Sequence, residues 1–170
     1  MDYNEKISDA TTDIKKIVKT TGAYDMSQAL TKLDVNSISD SAFVRVEHNW
    51  VAPDPLKIPN PDIVRLSNYH YWKVDGIFPV GFNTKARFKY SRVTGPSIGT
   101  LDNILLPVTA STDSLLLLYR PDAASDWNIT HFSRIGPSTT GYLVIDTLRR
   151  GEYCFAVGTP YYAYINQQNK

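Results

Sequence analysis

Cysteine occurs once in the 170 residues, at Cys154, so no disulfide can close within the chain and a disulfide framework is excluded. Proline is absent before Pro53, and the first 40 residues hold one glycine, Gly22. An excess of charge is missing too. Eighteen Lys and Arg against 17 Asp and Glu leave +1, which gives no support to long-range attraction toward nucleic acid or an anionic membrane. No run of 18 apolar residues occurs, so membrane insertion through a helix is not expected. Residues 1–19 are polar where a signal peptide needs a continuous apolar stretch. The chain is therefore expected to be intracellular or a piece of a longer exported protein.

What is abundant points to β-structure. Eleven Tyr, six Phe and three Trp accompany ten Pro, a mixture that favours strands and turns. A chain of this length buries roughly 70% of its unfolded surface, enough for one domain without a disulfide or metal. The uneven proline and glycine usage divides it. Ile7, Ala10, Ile14, Ile17 and Val18 recur at three- and four-residue spacing, which predicts a thin amphipathic helix ending near Gly22. Residues 1–32 are thus expected to be a helical extension or the tail of a preceding domain, and 33–170 a β-sandwich.

From Leu33 the period becomes two. Val44, Val46, His48 and Trp50 alternate with Arg45, Glu47 and Asn49, the pattern of a half-buried strand. His70, Trp72 and Val74 alternate likewise with Tyr69, Tyr71 and Lys73. Between them, four prolines over residues 53–61 cannot enter a sheet interior and predict an extended, stiff crossing loop. Further strands are expected at 84–90, 103–107, 114–119, 129–135, 142–148, 152–157 and 161–165. With turn signals between them, the spacing is that of an antiparallel sandwich of Ig-like or Greek-key type. The Leu148-Arg-Arg-Gly151-Glu-Tyr153 run has the layout of a tyrosine corner, in which a ring fills the sandwich end while its hydroxyl bonds upstream backbone.

Chemical signals are thin. His48, His70 and His131 belong to no H-E-x-x-H or closely spaced ligand pair. His48 and His70 do fall on the apolar faces of two strands that could be neighbours, where inward histidines bonded to a polar partner are more common than a metal or catalytic pair. Cys154 has no adjacent basic residue and reads as a buried thiol. There is no G-x-S-x-G elbow and no phosphate loop. No cofactor or metal is expected. Asp54, Asp62, Asp122 and Asp126 read as turn-capping residues, and the 122–128 stretch lacks the ligand pattern of a calcium loop. Lys85, Arg87 and Lys89 place three cations on one strand face, a solvated face or a protected edge. The aromatics offer a ligand platform. Trp127 beside Asp126 and Asn128, together with Tyr69 and Tyr71, could contact a sugar, Trp127 being the best exposed candidate.

Residues 40–55 (DSAFVRVEHNWVAPDP), 66–76 (LSNYHYWKVDG) and 86–90 (ARFKY) resemble the region that follows the catalytic part in exported bacterial zinc aminopeptidases of the aminopeptidase N, or gluzincin, type. In that family zinc sits on H-E-x-x-H and a downstream glutamate in a preceding domain. Neither is matched here, and Glu47-His48 has the two residue types in the wrong order. The resemblance implies a non-catalytic sandwich whose partner is the catalytic domain of the same parent chain, with a protein or glycan ligand in addition. It also implies a periplasmic or cell-surface location for the parent. The competing readings are a carbohydrate-binding module and a small hydrolase using His48 or His70.

Overall fold

The computed structural model describes residues 11–93 and 102–159. Two antiparallel sheets face each other. The seven-stranded sheet runs β1 (Thr11–Val18), β4 (Ala42–Asn49), β6 (Tyr71–Ile77), β12 (Gly151–Gly158), β8 (Leu115–Arg120) and β9 (Asn128–Ile129), with β5 (Ile63–Leu66) paired to the end of β12. The five-stranded sheet runs β10 (Ser133–Ile135), β11 (Thr140–Ile145), β7 (Asn83–Ser91), β3 (Thr31–Ser37) and β2 (Gly22–Met26). Most sheet neighbours are not consecutive in sequence, so the chain repeatedly crosses between layers. The expected antiparallel sandwich is present.

Its core follows the period-two pattern. Val44 and Val46 of β4, Trp72 and Val74 of β6, and Tyr153 and Phe155 of β12 meet Leu33, Ala86, Phe88, Leu143 and Ile145 of the facing sheet, all buried. Aromatic edges lock the two layers. The Trp72 ring lies 5.1 Å from Phe88 and 4.9 Å from Phe155, and Phe88 lies 4.8 Å from Tyr153, within the range where offset and edge-on pairs attract. The Trp72 indole N–H donates to the Ala29 carbonyl at 2.8 Å.

The expected N-terminal helix is a strand over residues 11–18, and 1–10 lie outside the described residues. Ile14 and Val18 satisfy a helical and a strand period equally. The deciding features are five β-branched residues in TTDIKKIV, which favour extended backbone, and a partner: all eight residues pair in register with β4, from Thr11↔Asn49 to Val18↔Ala42. The position 32/33, expected as a boundary, lies inside β3. β1 pairs with β4, which lies beyond it, and β2 pairs with β3, which spans it.

Two further differences concern the middle of the chain. The start of the strand expected over 103–107 is a single helical turn, α1 (Asp102–Leu105), in which the Leu106 N–H bonds the Asp102 carbonyl at 2.9 Å. The Asn103 side chain accepts the Val108 N–H at 3.0 Å, a local alternative to a ladder. The strand expected over 129–135 is two short ones, β9 and β10, in opposite sheets. The strand expected at 161–165 lies outside the described residues.

A second, smaller core sits on the outside of the seven-stranded sheet. Leu116 and Leu118 of β8 and Cys154 and Ala156 of β12 point away from the facing sheet and are covered by Trp127, Ile63 and Leu56. The proline-rich crossing carries no regular structure between β4 and β5. It is pinned by Asp126, whose carboxylate accepts the Lys57 and Ile58 N–H groups at 3.0 and 2.9 Å.

The tyrosine corner has the expected geometry. The Tyr153 hydroxyl accepts the Arg149 N–H at 3.1 Å and lies 3.4 Å from the Arg149 carbonyl, to which it donates, and burial pushes its pKa up to about 12. The turn before it depends on Gly151, where φ is +142° and an added Cβ would lie 2.4 Å from the Arg120 carbonyl oxygen. Gly151→Val is therefore expected to cost well above the 1–3 kcal/mol typical of a strained φ alone. Cys154→Ala, which trims one atom from a buried side chain, is expected to cost about 1–2 kcal/mol. Denaturant melts of the two variants, read at equal slope, check the order.

Candidate functional site

Three polar side chains meet inside the apolar wall formed by β4, β6 and β12. His48, near the end of β4, places Nε2 2.9 Å from Nδ1 of His70, just before β6. His70 Nε2 lies 2.6 Å from Oδ1 of Asp102, the first residue of α1, and Asp102 Oδ2 accepts the Ser91 N–H at 2.9 Å. Strand alternation turns both histidines inward, and the β4–β6 register, in which His48 faces Trp72, sets them side by side. The aromatic rings of Trp50, Trp72 and Phe155 enclose them, each within 5.5 Å of a histidine centroid.

The hydrogen bonds set a direction when both rings are neutral. The carboxylate takes the His70 Nε2–H, which leaves His70 Nδ1 as acceptor for the His48 Nε2–H. His48 Nδ1 then carries a lone pair, and it is buried with no partner among the described residues. Such a chain resembles an orienting carboxylate–imidazole relay, yet relays act on substrate only where the terminal base is accessible. Here His48 and His70 are each 1% exposed and Asp102 4%. Burial first, and the neighbouring His70 second, push the His48 pKa down to about 3.

The buried thiol expected at position 154 is present: Cys154 is fully buried, and burial raises its pKa well above the ordinary thiol value. Of the four loop aspartates expected to cap turns, Asp122 and Asp126 do so, whereas the Asp54 carboxylate pairs with Arg120. Asp122 accepts the Ala124 and Ser125 N–H groups, and Asp126 accepts that of Trp127 as well as the two from the crossing loop. Lys85, Arg87 and Lys89 lie on an interior strand, β7, where Arg87 Nε meets Asp34 at 2.9 Å. They form a solvated face rather than a protected edge.

The ligand platform expected from the aromatics is dispersed. Trp127, expected to be the most exposed member, is 2% exposed. Its ring covers the outward apolar residues of β8 and β12, lies 4.8 Å from the Arg120 guanidinium, and its N–H donates to the Asp54 carbonyl at 2.8 Å. Tyr71 is half-buried against the same small core. Tyr69 is half-buried in the turn before His70. Asn128 is exposed and lines a cleft of about 570 Å³ with Tyr119, Pro121, His131 and Arg149.

Arg92 and Arg120 had no sequence signal that marked them out, and both are buried. Arg92 donates to the carbonyls of Leu106, Pro107, Ala110 and Ser138, tying the loop after α1 to the one before β11. Arg120 reaches Asp54 at 2.7 Å and Glu152 at 3.0 Å. Among the described residues no cluster of three or more His, Cys, Asp or Glu could hold a metal ion.

Comparisons with protein-family models, with curated proteins and with solved structures each found no match.

The His48 pKa has a direct consequence for stability. Its folded value lies below the unfolded one near 6.5, so the unfolded chain binds the extra proton. Stability is full above about pH 6.5 and falls as pH drops toward 3, by up to about 1.4 kcal/mol per pH unit from this one group. Urea midpoints from pH 7 to 4 check this, and His48→Phe is expected to flatten the decline. Asp102→Ala, which strands the His70 Nε2–H and the Ser91 N–H together, is expected to cost about 2–5 kcal/mol at neutral pH, measured in the same melts.

Proposed function

We propose that this chain is a non-catalytic accessory domain of a larger exported zinc metallopeptidase of the aminopeptidase N type, bracing the catalytic unit or engaging protein substrate. The words that carry the resemblance fall on the elements that make the fold: 40–55 spans β4 and the start of the proline-rich crossing, 66–76 spans the histidine turn and β6, and 86–90 lies in β7. They encode a scaffold. One observation supports the non-catalytic part above the others: the set of groups arranged as an acid–base relay among the described residues, His48, His70 and Asp102, is enclosed by aromatic rings and employed in holding β4, β6 and α1 together. A hydrolase using His48 or His70 would need a path for substrate to that pair.

The carbohydrate-binding alternative loses its strongest residue, because the Trp127 ring is used to cover apolar side chains. Its remaining foothold is the cleft at Asn128 and Tyr119.

Purified chain, with or without added zinc, is expected to leave an aminoacyl anilide unhydrolysed, since water activation requires the metal and its ligands. Zinc-dependent turnover overturns the proposal, and retention on insoluble polysaccharide moves it to the glycan reading. Reading the gene upstream checks the parentage, with an H-E-x-x-H motif as the expected finding.

A further inference from the structure

The outward face of β1, β4 and β6 carries two charged rungs that end at β1 in like-charge pairs. In the first, Asp75 of β6 faces Arg45 of β4, which faces Lys15 of β1, giving minus, plus, plus toward the edge. In the second, Lys73 faces Glu47, which faces Asp13, giving plus, minus, minus. Like charges directly opposite on neighbouring strands are unfavourable. Beyond the opposite charges that β6 supplies to β4, Arg45 Nη2 reaches diagonally to Asp13 at 2.8 Å, and Lys15 Nζ lies 3.9 Å from the same carboxylate on its own strand. Strand β1 ends the sheet, pairing with β4 alone among the described strands, so alternate residues along its length present ladder groups to whatever lies beside them.

From this charge pattern we infer that β1 pairs antiparallel with β1 of a second copy of the chain, about a two-fold axis at Ile14. Opposed residues then share a face only if their numbers sum to an even value, which leaves few registers. With Ile14 opposite itself, Asp13 of each copy faces Lys15 of the other. The first rung becomes Asp75, Arg45, Lys15 followed by Asp13, Glu47, Lys73 of the second copy, so that two cations meet two anions. The symmetry repeats this on the other side of the axis. A shift by one step in either direction sets Lys15 against Lys15 or Asp13 against Asp13. On the inward face the two Ile14 side chains, each already packed on the core, meet at the seam. On the outward face Ile17, 66% exposed, comes beside Thr11 of the other copy. The two seven-stranded sheets become one continuous sheet, an isologous contact that closes on itself. The pairing goes beyond the accessory-domain role and does not depend on it.

Sedimentation equilibrium at low ionic strength, from micromolar to millimolar chain, tests the inference. The wild type is expected to form a reversible dimer of twice the 19.1 kDa chain mass, weakened by added salt. Lys15→Asp is expected to weaken it about tenfold or more, since it opposes like charges twice across the axis. The same substitution sets an acid against Arg45 within its own chain, so its thermal melt is expected to be unchanged or raised, which separates lost pairing from lost folding. Adding Asp13→Lys to it restores opposite charges across the seam and is expected to restore the dimer. Ile14→Cys is expected to crosslink to itself under mild oxidation, Cys154 being buried. A wild type that stays monomeric throughout, a dimer indifferent to Lys15→Asp, or a dimer in which Ile14→Cys fails to crosslink overturns the inference.

Discussion

Trp72 is the residue on which the two layers depend. Its ring is fully buried between Phe88 of one sheet and Phe155 of the other, and it touches both buried histidines. Its single polar atom is satisfied by the Ala29 carbonyl, in the short turn between β2 and β3. One side chain therefore joins the centre of the larger sheet to an outer hairpin of the smaller one. Burial of a large aromatic with its N–H bonded adds area and direction together.

The histidine chain is the polar counterpart of that contact. Placing two imidazoles and a carboxylate in an apolar wall is costly unless each is paired, and the pairing here runs through three elements far apart in sequence: β4, the turn before β6, and α1. Asp102 also holds the end of β7 through Ser91. A group so placed specifies which segments must come together, and it makes the fold sensitive to acid because His48 has no room for a second proton. The same environment leaves His48 and His70 1% exposed and Asp102 4%.

The outside of the larger sheet is used in two ways. Over β12 and β8 it is apolar and covered by the proline-rich crossing and Trp127. Over β1, β4 and β6 it is charged, with Ile17, Phe43 and Ile77 forming an apolar rung at one end. The division explains why the crossing loop is rich in proline: it must lie extended over side chains without competing for ladder hydrogen bonds, and fixed φ values lower the entropy lost in holding it there.

The period-two segments 44–50, 70–74, 84–90 and 152–157 were legible in the sequence because side-chain alternation is a local property, and so were the antiparallel sandwich, the inward His48 and His70, the buried Cys154, and the turn at Gly151 with Tyr153 behind it. The rest required neighbours. Residues 11–18 satisfy helical and strand periods alike until β4 supplies a ladder. Asp102 gave no sign of its role, since its partners stand 11 and 32 positions away. Trp127 reads as an exposed loop aromatic because the surface it covers consists of residues that look ordinary within their own strands. The charge doublets at the β1 edge exist only once register sets Lys15 beside Arg45 and Asp13 beside Glu47. Alternation, turns and capping act over a few residues and are written in order along the chain. Register, burial of outward faces and the pairing of buried polar groups act between segments that only the folded backbone brings within reach.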